Sequence, residues 1–99
     1  MFLHLGKDFV IPLKDVIAII DSESAFKSDT TKEFFKIAEE EGFIFNIVEE
    51  GIKSYVITER IEKGKNGSEL ARKSIIYSSN ISATTLHKRA GFVDSIEHA

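Results

Sequence analysis

Apolar positions along this chain change period several times, and each change marks an element. Phe2, Leu3 and Leu5 make a short extended run with His4, Gly6-Lys7-Asp8 supplies turn chemistry, and Phe9-Val10-Ile11 follow, so residues 2–5 and 9–11 predict an antiparallel hairpin. Pro12 ends that pairing because it has no amide hydrogen to donate. Residues 14–21 contain Val16-Ile17-Ala18-Ile19-Ile20, an unbroken run rich in β-branched side chains, which predicts a strand buried on both faces and central to the sheet. Residues 22–29 are polar and predict a loop, with Ala25-Phe26 as the point where a ring tucks into the core.

The period then lengthens, and a helix is predicted over 30–41. Thr30 and Glu33 fit a capping box, Phe34, Ile37 and Ala38 fall at i, i+3 and i+4 as the inward stripe, and Gly42 provides a left-handed stop. Strands follow at 43–48 and 54–61 around a Glu49-Glu50-Gly51 turn. In the second, Tyr55, Ile57 and Ile61 share one face while Val56 and Thr58 share the other. Residues 62–72, with Gly64, Asn66-Gly67 and many charges, predict a flexible hairpin tip leading into a strand at 73–78. Ser82 reads as the N-cap of a short helix that turns Ala83, Leu86 and Ala90 inward and stops at Gly91, and the tail 92–99 is expected to fray. Together these predict an α+β fold: a twisted, mainly antiparallel sheet with one longer helix and a short C-terminal helix.

Composition narrows the function classes. A chain of 99 residues that is 42% hydrophobic suits one domain spanning 1–99, and so small a core gains readily from packing against a copy of itself. The longest apolar run, 16–20, is far below the roughly 20 residues of a membrane span. The opening Met1-Phe-Leu-His-Leu-Gly-Lys-Asp lacks a basic segment leading into a long apolar stretch, so no secretory leader is expected and the protein is expected in the cytoplasm. The absence of cysteine excludes disulfides and thiolate metal centres. A net charge of −3 argues against general polyelectrolyte binding, so any nucleic-acid contact must come from a local patch.

The remaining candidates divide unevenly. Asp8, Asp15 and Asp21 could form a carboxylate site, yet each falls where a turn or strand end favours Asp, and His4 reads as a hydrogen-bonded strand residue. Ser78, Ser79 and Ser82 have no matching base or orienting acid, so helix capping explains them better than nucleophilic chemistry. Phe34, Phe35, Phe43 and Phe45 have the spacing of core packing rather than of a base-stacking platform. His87-Lys88-Arg89, with Arg72 and Lys73, is the densest basic grouping; it can complement a helix C-terminus or contact phosphates. No enzyme chemistry, cofactor or metal is implied.

Three segments carry a family resemblance: Phe2-Leu-His-Leu-Gly-Lys-Asp-Phe-Val-Ile-Pro-Leu-Lys-Asp-Val-Ile-Ala-Ile-Ile-Asp21, Lys53-Ser-Tyr-Val-Ile-Thr58 and Ile76-Tyr-Ser-Ser-Asn-Ile-Ser-Ala-Thr-Thr-Leu-His-Lys-Arg89. Across 1–61 and 73–91 the chain resembles the RemB family, small bacterial regulators of extracellular-matrix genes. That family is similar to the RemA regulators, DNA-binding activators of biofilm-matrix operons whose fold looks like a LytTR-type domain and which assemble into rings. The resemblance implies a cytoplasmic transcriptional regulator whose partners are DNA, itself as a dimer or ring, and a related regulator, with no membrane. RemA proteins carry adjacent arginines before the strand matching 54–61, where this chain reads Glu49-Glu50-Gly51-Ile52-Lys53, and the charged segment 62–72 is an insertion. The phosphate contacts expected on this reading are Lys53, Arg60, Lys63, Lys65, Arg72, Lys73, Lys88 and Arg89. The alternative is a homo- or hetero-oligomeric scaffold that binds protein and touches no DNA, which the acidic balance favours.

Overall fold

A computed structural model describes residues 1–64 and 70–91. It begins with the hairpin read from the sequence, β1 (Phe2–Gly6) against β2 (Phe9–Pro12), although Pro12 does not end the pairing: it faces Phe2, and the Leu13 amide donates to the Met1 carbonyl at 3.0 Å before the 3-10 turn at Leu13–Asp15. Then come β3 (Val16–Asp21), α1 (Ser22–Ala25), α2 (Asp29–Glu40), β4 (Ile44–Asn46), β5 (Ser54–Lys63), β6 (Leu70–Ser79) and α3 (Ala83–Ala90). The main sheet has the order β3-β5-β6-β4; β5 is antiparallel to both neighbours, while β4 runs parallel to β6. The fold is therefore α+β, with one parallel pair in an otherwise antiparallel sheet.

The sheet is covered on both faces. On one, Val56 and Ile19 meet Leu3, Leu5 and Ile11 of the hairpin and Ala83 and Leu86 of α3. Leu3, Leu5 and Leu86 are fully buried, each contributing about 1.5–3 kcal/mol of transfer free energy. On the other face Ile76 packs with Ala25, Phe35 and Ala38, joined by the half-buried Tyr55 and Ile57. This matches the alternation read from β5, in which even and odd positions serve opposite faces, except that Ile61 is exposed.

Two buried serines stitch the layers. Ser79 Oγ donates to the Leu5 carbonyl and accepts from the Ile81 amide, and Ser54 Oγ donates to the Ile81 carbonyl at 2.7 Å. Beside them Gly6 has φ +121°, which L side chains rarely adopt, so the first turn needs glycine; a Cβ there would also lie 2.7 Å from Asn80 Oδ1 and displace that side chain.

Several expectations change. The apolar run at Val16–Asp21 is an edge strand, not the central one: it pairs with β5 alone, and at the irregularity between Val16 and Ala18 the Ile17 side chain turns outward. Residues 22–25 form a helical turn instead of loop because the Asp21 carboxylate accepts from the Glu23 and Ser24 amides at 3.1 and 3.2 Å. Helix α2 starts at Asp29 with Ser28 in the capping position, and neither forms the Thr30–Glu33 box. Its inward residues are Phe35 and Ala38, while Phe34 and Ile37 face out. Gly42 does take the left-handed conformation at the end of α2, as does Gly91 after α3, and Ser82 caps α3 by accepting from the Thr85 amide.

The segment expected as a hairpin tip begins further out than predicted. Glu62 pairs with Ala71 and Lys63 with Leu70, so the ladder continues past the expected ends of both strands. Residues 65–69 and the tail 92–99 lie outside the described residues, and with them Lys65.

Candidate nucleic-acid interface

The eight expected phosphate contacts are distributed by strand parity and helix geometry. Lys53 precedes β5, with its amide donating to the Ser79 carbonyl and its carbonyl accepting from Ser22, which fixes the backbone while leaving the side chain exposed. Lys63 ends the same strand, about 30 Å away along an extended chain of ten residues. Arg60 and Lys73 are cross-strand partners and share the face that carries α3. Lys63 and Arg72 occupy the opposite face, beside Leu70 and Ile61. Lys88 and Arg89 are exposed in the last turn of α3, where the helix C-terminus favours cations. The fold thus brings together Arg60 with Lys73, Lys63 with Arg72, and Lys88 with Arg89, and leaves Lys53 apart.

Acids hold two of these cations. Arg60 donates from both Nε and Nη2 to one Asp15 oxygen at 3.1 and 2.9 Å, and Asp15 is buried. The hydrogen bond and the charge of Asp15 raise the guanidinium pKa above its ordinary value, so Arg60 is a fixed cation. Arg72 Nε lies 3.4 Å from Glu59. These are the ion pairs among the described residues, leaving the ammonium groups of Lys53, Lys63, Lys73 and Lys88 to solvent or to a ligand. Arg89 donates from Nη1 to the His4 carbonyl at 3.3 Å, which orients the guanidinium while its other N–H groups remain for a second acceptor. His87, one residue before Lys88, contacts the Ile19 carbonyl at 3.2 Å and ties α3 to β3.

The other sequence candidates resolve into structural roles. Asp21 caps α1 and Asp15 holds Arg60, and no group of acids or histidines among the described residues could hold a metal ion. His4 is exposed, with Nε2 at the Lys7 carbonyl. Ser82 caps α3 as expected, but Ser78 bonds Asn46 Oδ1 and Ser79 bonds Leu5, so these two join strands rather than cap a helix. Of the four phenylalanines expected in the core, Phe35 alone is buried; Phe34, Phe43 and Phe45 are all exposed. Phe45 stacks on Phe9 with centroids 5.1 Å apart, and Tyr77 sits 5.2 Å from Phe9. For Phe34 the sequence offered no distinction, because Phe34 and Phe35 are adjacent and either satisfies the helical phase.

Charge is divided over the surface. Helix α2 carries Asp29, Glu33, Glu39 and Glu40 against Lys32 and Lys36, and the turn before β5 adds Glu49 and Glu50. The end of α3 carries cations alone.

Two comparisons bear on identity. Residues 2–90 match the model of the family described as RemA-like, extracellular matrix regulatory protein A-like. The chain is also 32% identical over 97 residues to extracellular matrix regulatory protein B of Bacillus subtilis (strain 168), an alignment covering 98% of this chain and 99% of that protein. The chain belongs to the RemA-like family of extracellular matrix regulatory proteins.

Proposed function

We propose that this chain is a DNA-binding transcriptional regulator of extracellular-matrix genes that acts as an oligomer, as a domain of the LytTR type. The observation that carries the reading is the family match across residues 2–90. Charge placement supports it: Lys88 and Arg89 end α3, and Lys73 lies on the face of the sheet that carries α3, opposite the face that packs α2. These three are the principal phosphate contacts in this reading. Lys53 and Lys63 add long-range attraction, and Arg60 and Arg72 add less because each is tied to an acid. Lys65 joins them by its place in the sequence. Three cations per chain are too few for tight binding at a net charge of −3, so affinity comes from several copies engaging one duplex together.

The test is binding of a labelled mixed-sequence duplex, followed by anisotropy over a series of salt concentrations, with sedimentation of the same samples. A complex that weakens steeply with salt is expected, because displaced counterions leave that signature. Lys88→Ala and Arg89→Ala should each weaken binding to all sequences and lower the salt slope by about one. No complex at low salt would overturn the reading. It would leave the protein-interaction scaffold, which the acidic balance and the occupied Arg60 and Arg72 favour.

A further inference from the structure

Strand register builds a polar floor beside α2. Asn46 of β4 pairs with Ser78 of β6, and Ser78 pairs with Tyr55 of β5, so three polar-tipped side chains stand in one row on the face that packs α2. The next row on that face, Ile44, Ile76 and Ile57, is apolar, and Phe35 and Ala38 of α2 pack over it. The helix thus closes over the apolar row and leaves a cleft of about 380 Å³ above the polar one. That volume falls in the ~300–1,000 Å³ range of small-molecule sites. Buried Ser78 donates to Asn46 Oδ1 at 2.8 Å, which leaves both hydrogens of the Asn46 amide nitrogen to donate elsewhere.

The walls add a ring surface and charge. Phe26, just after α1, is 43% exposed yet held by two other rings: it stands edge-on to Tyr55 with centroids 5.9 Å apart, and Phe35 lies 5.4 Å from Phe26 and 4.7 Å from Tyr55. Lys32 and Lys36 lie one turn apart on α2 and both line the cleft. Like charges at that spacing oppose each other, and neither ammonium reaches an acid among the described residues. Glu39 lines the cleft too but forms no ion pair with Lys36, three residues before it. Two lysines against one glutamate leave the lining with one positive charge in excess, facing polar donors and an uncovered ring.

We propose that this cleft binds a small anion built on a flat ring, of the size of a nucleoside monophosphate, with its phosphate or carboxylate between Lys32 and Lys36, its ring against Phe26 and Tyr55, and its polar edge at the Asn46 amide. An anion seated between the two lysines relieves their repulsion, and the ring covers the bare side of Phe26. Glu39 accepts from a hydroxyl or amino group of the ligand and disfavours a second anionic group, so a polyphosphate is a poor fit. The site lies on the face of the sheet opposite the one that carries α3 and Lys73, so it is separate from the proposed phosphate contacts to a duplex.

Calorimetric titration of the protein with the adenosine, guanosine, cytidine and uridine monophosphates, with benzoate and with inorganic phosphate tests the site. A ring-bearing anion is expected to bind about tenfold or more tighter than inorganic phosphate, because ring contacts add to the charge. Lys32→Gln and Lys36→Gln, both at exposed positions, should each weaken that binding about tenfold with circular dichroism unchanged, while Lys14→Gln, equally exposed but outside the cleft, should leave it unaltered. Phe26→Leu should weaken the ring-bearing probe and not phosphate. In amide NMR spectra the shifts on binding should centre on Asn46, Tyr55 and Ser78. Shifts centred on Lys88 and Arg89 would show the probes sitting on the duplex-contact cations and would overturn the site. So would the absence of binding by every probe at millimolar concentration, or binding indifferent to both lysine substitutions. Binding of a nucleotide, or of benzoate alone, would uphold the site and assign its ligand to nucleotides or to aromatic acids respectively. No duplex is present in these titrations, so failure of the DNA reading would leave the site standing, and loss of the site would leave that reading untouched.

Discussion

Ser79 shows how much one small side chain holds. It is wholly buried, donates to the Leu5 carbonyl and accepts from the Ile81 amide, so it joins the sheet to the first hairpin and to the entry of α3. Ser79→Ala would leave a carbonyl and an amide without partners in the core, at a cost of about 1–3 kcal/mol. Urea denaturation should show this as a lower midpoint with an unchanged slope; a loss below a few tenths would mean water replaces the hydroxyl. Tyr55 and Tyr77 give a second readout. Burial raises both phenol pKa values above 10.0, and for Tyr77 the Asp15 charge adds to the rise while Arg60 opposes it. A folded value above the unfolded one means that the stabilisation is fully present below pH 10 and is lost as pH climbs through the folded values. As the chain has two tyrosines and no tryptophan, tyrosinate absorbance should appear later in the native protein than in urea, and thermal stability should decline above pH 10. Coincident native and denatured titrations would contradict this. The serines were visible in the sequence only as a polar cluster, since a serine written beside a helix start looks the same whether it caps that helix or bridges strands.

At the scale of elements, what the sequence reveals is local and what it hides is long-range. The first hairpin, the Gly42 and Gly91 stops and the Ser82 cap were legible because each depends on a few adjacent residues. Strand order was not. Val16–Ile20 has the unbroken apolar pattern of a central strand, yet β3 lies at an edge, and the pattern is explained by α3 and α1 packing on it rather than by a second neighbour. Helix α2 was rotated in the reading because Phe34 and Phe35 are adjacent, and either completes a stripe with Ala38; the choice is made by the Phe26 and Tyr55 rings, which meet Phe35 at 5.4 and 4.7 Å. The β5–β6 ribbon yields a prediction here. Amides of Ile61 and Lys63 should exchange with solvent much faster than those of Val56 and Thr58, because β3 and the core hold the inner half of β5 and the outer half has β6 alone. Uniform exchange along β5 would show that the outer half is held as firmly as the inner half.

For the whole molecule, the relation between assembly and DNA is quantitative. The candidate cations were legible by type, but their partition was not: no spacing in the sequence put Asp15 against Arg60, forty-five residues apart, or placed Lys73 and Lys63 on opposite faces. Given that partition, a single chain offers Lys73, Lys88 and Arg89 as its principal contacts. Neutralising three phosphates would give a slope of about −3 in log affinity against log salt, and two chains of one pair on the same duplex would give about −5. A duplex too short to seat two chains keeps every cation of one chain in play, so in this scheme it acts solely by removing the second copy's contacts. The expected result is that the slope on the short duplex falls to near the single-chain value while the affinity drops more than tenfold, because the second chain's contacts are lost. Anisotropy titrations of the protein on the long and the short duplex at four or five salt concentrations measure both quantities. Equal slopes with equal affinities would show that each chain meets DNA alone and that assembly serves another purpose.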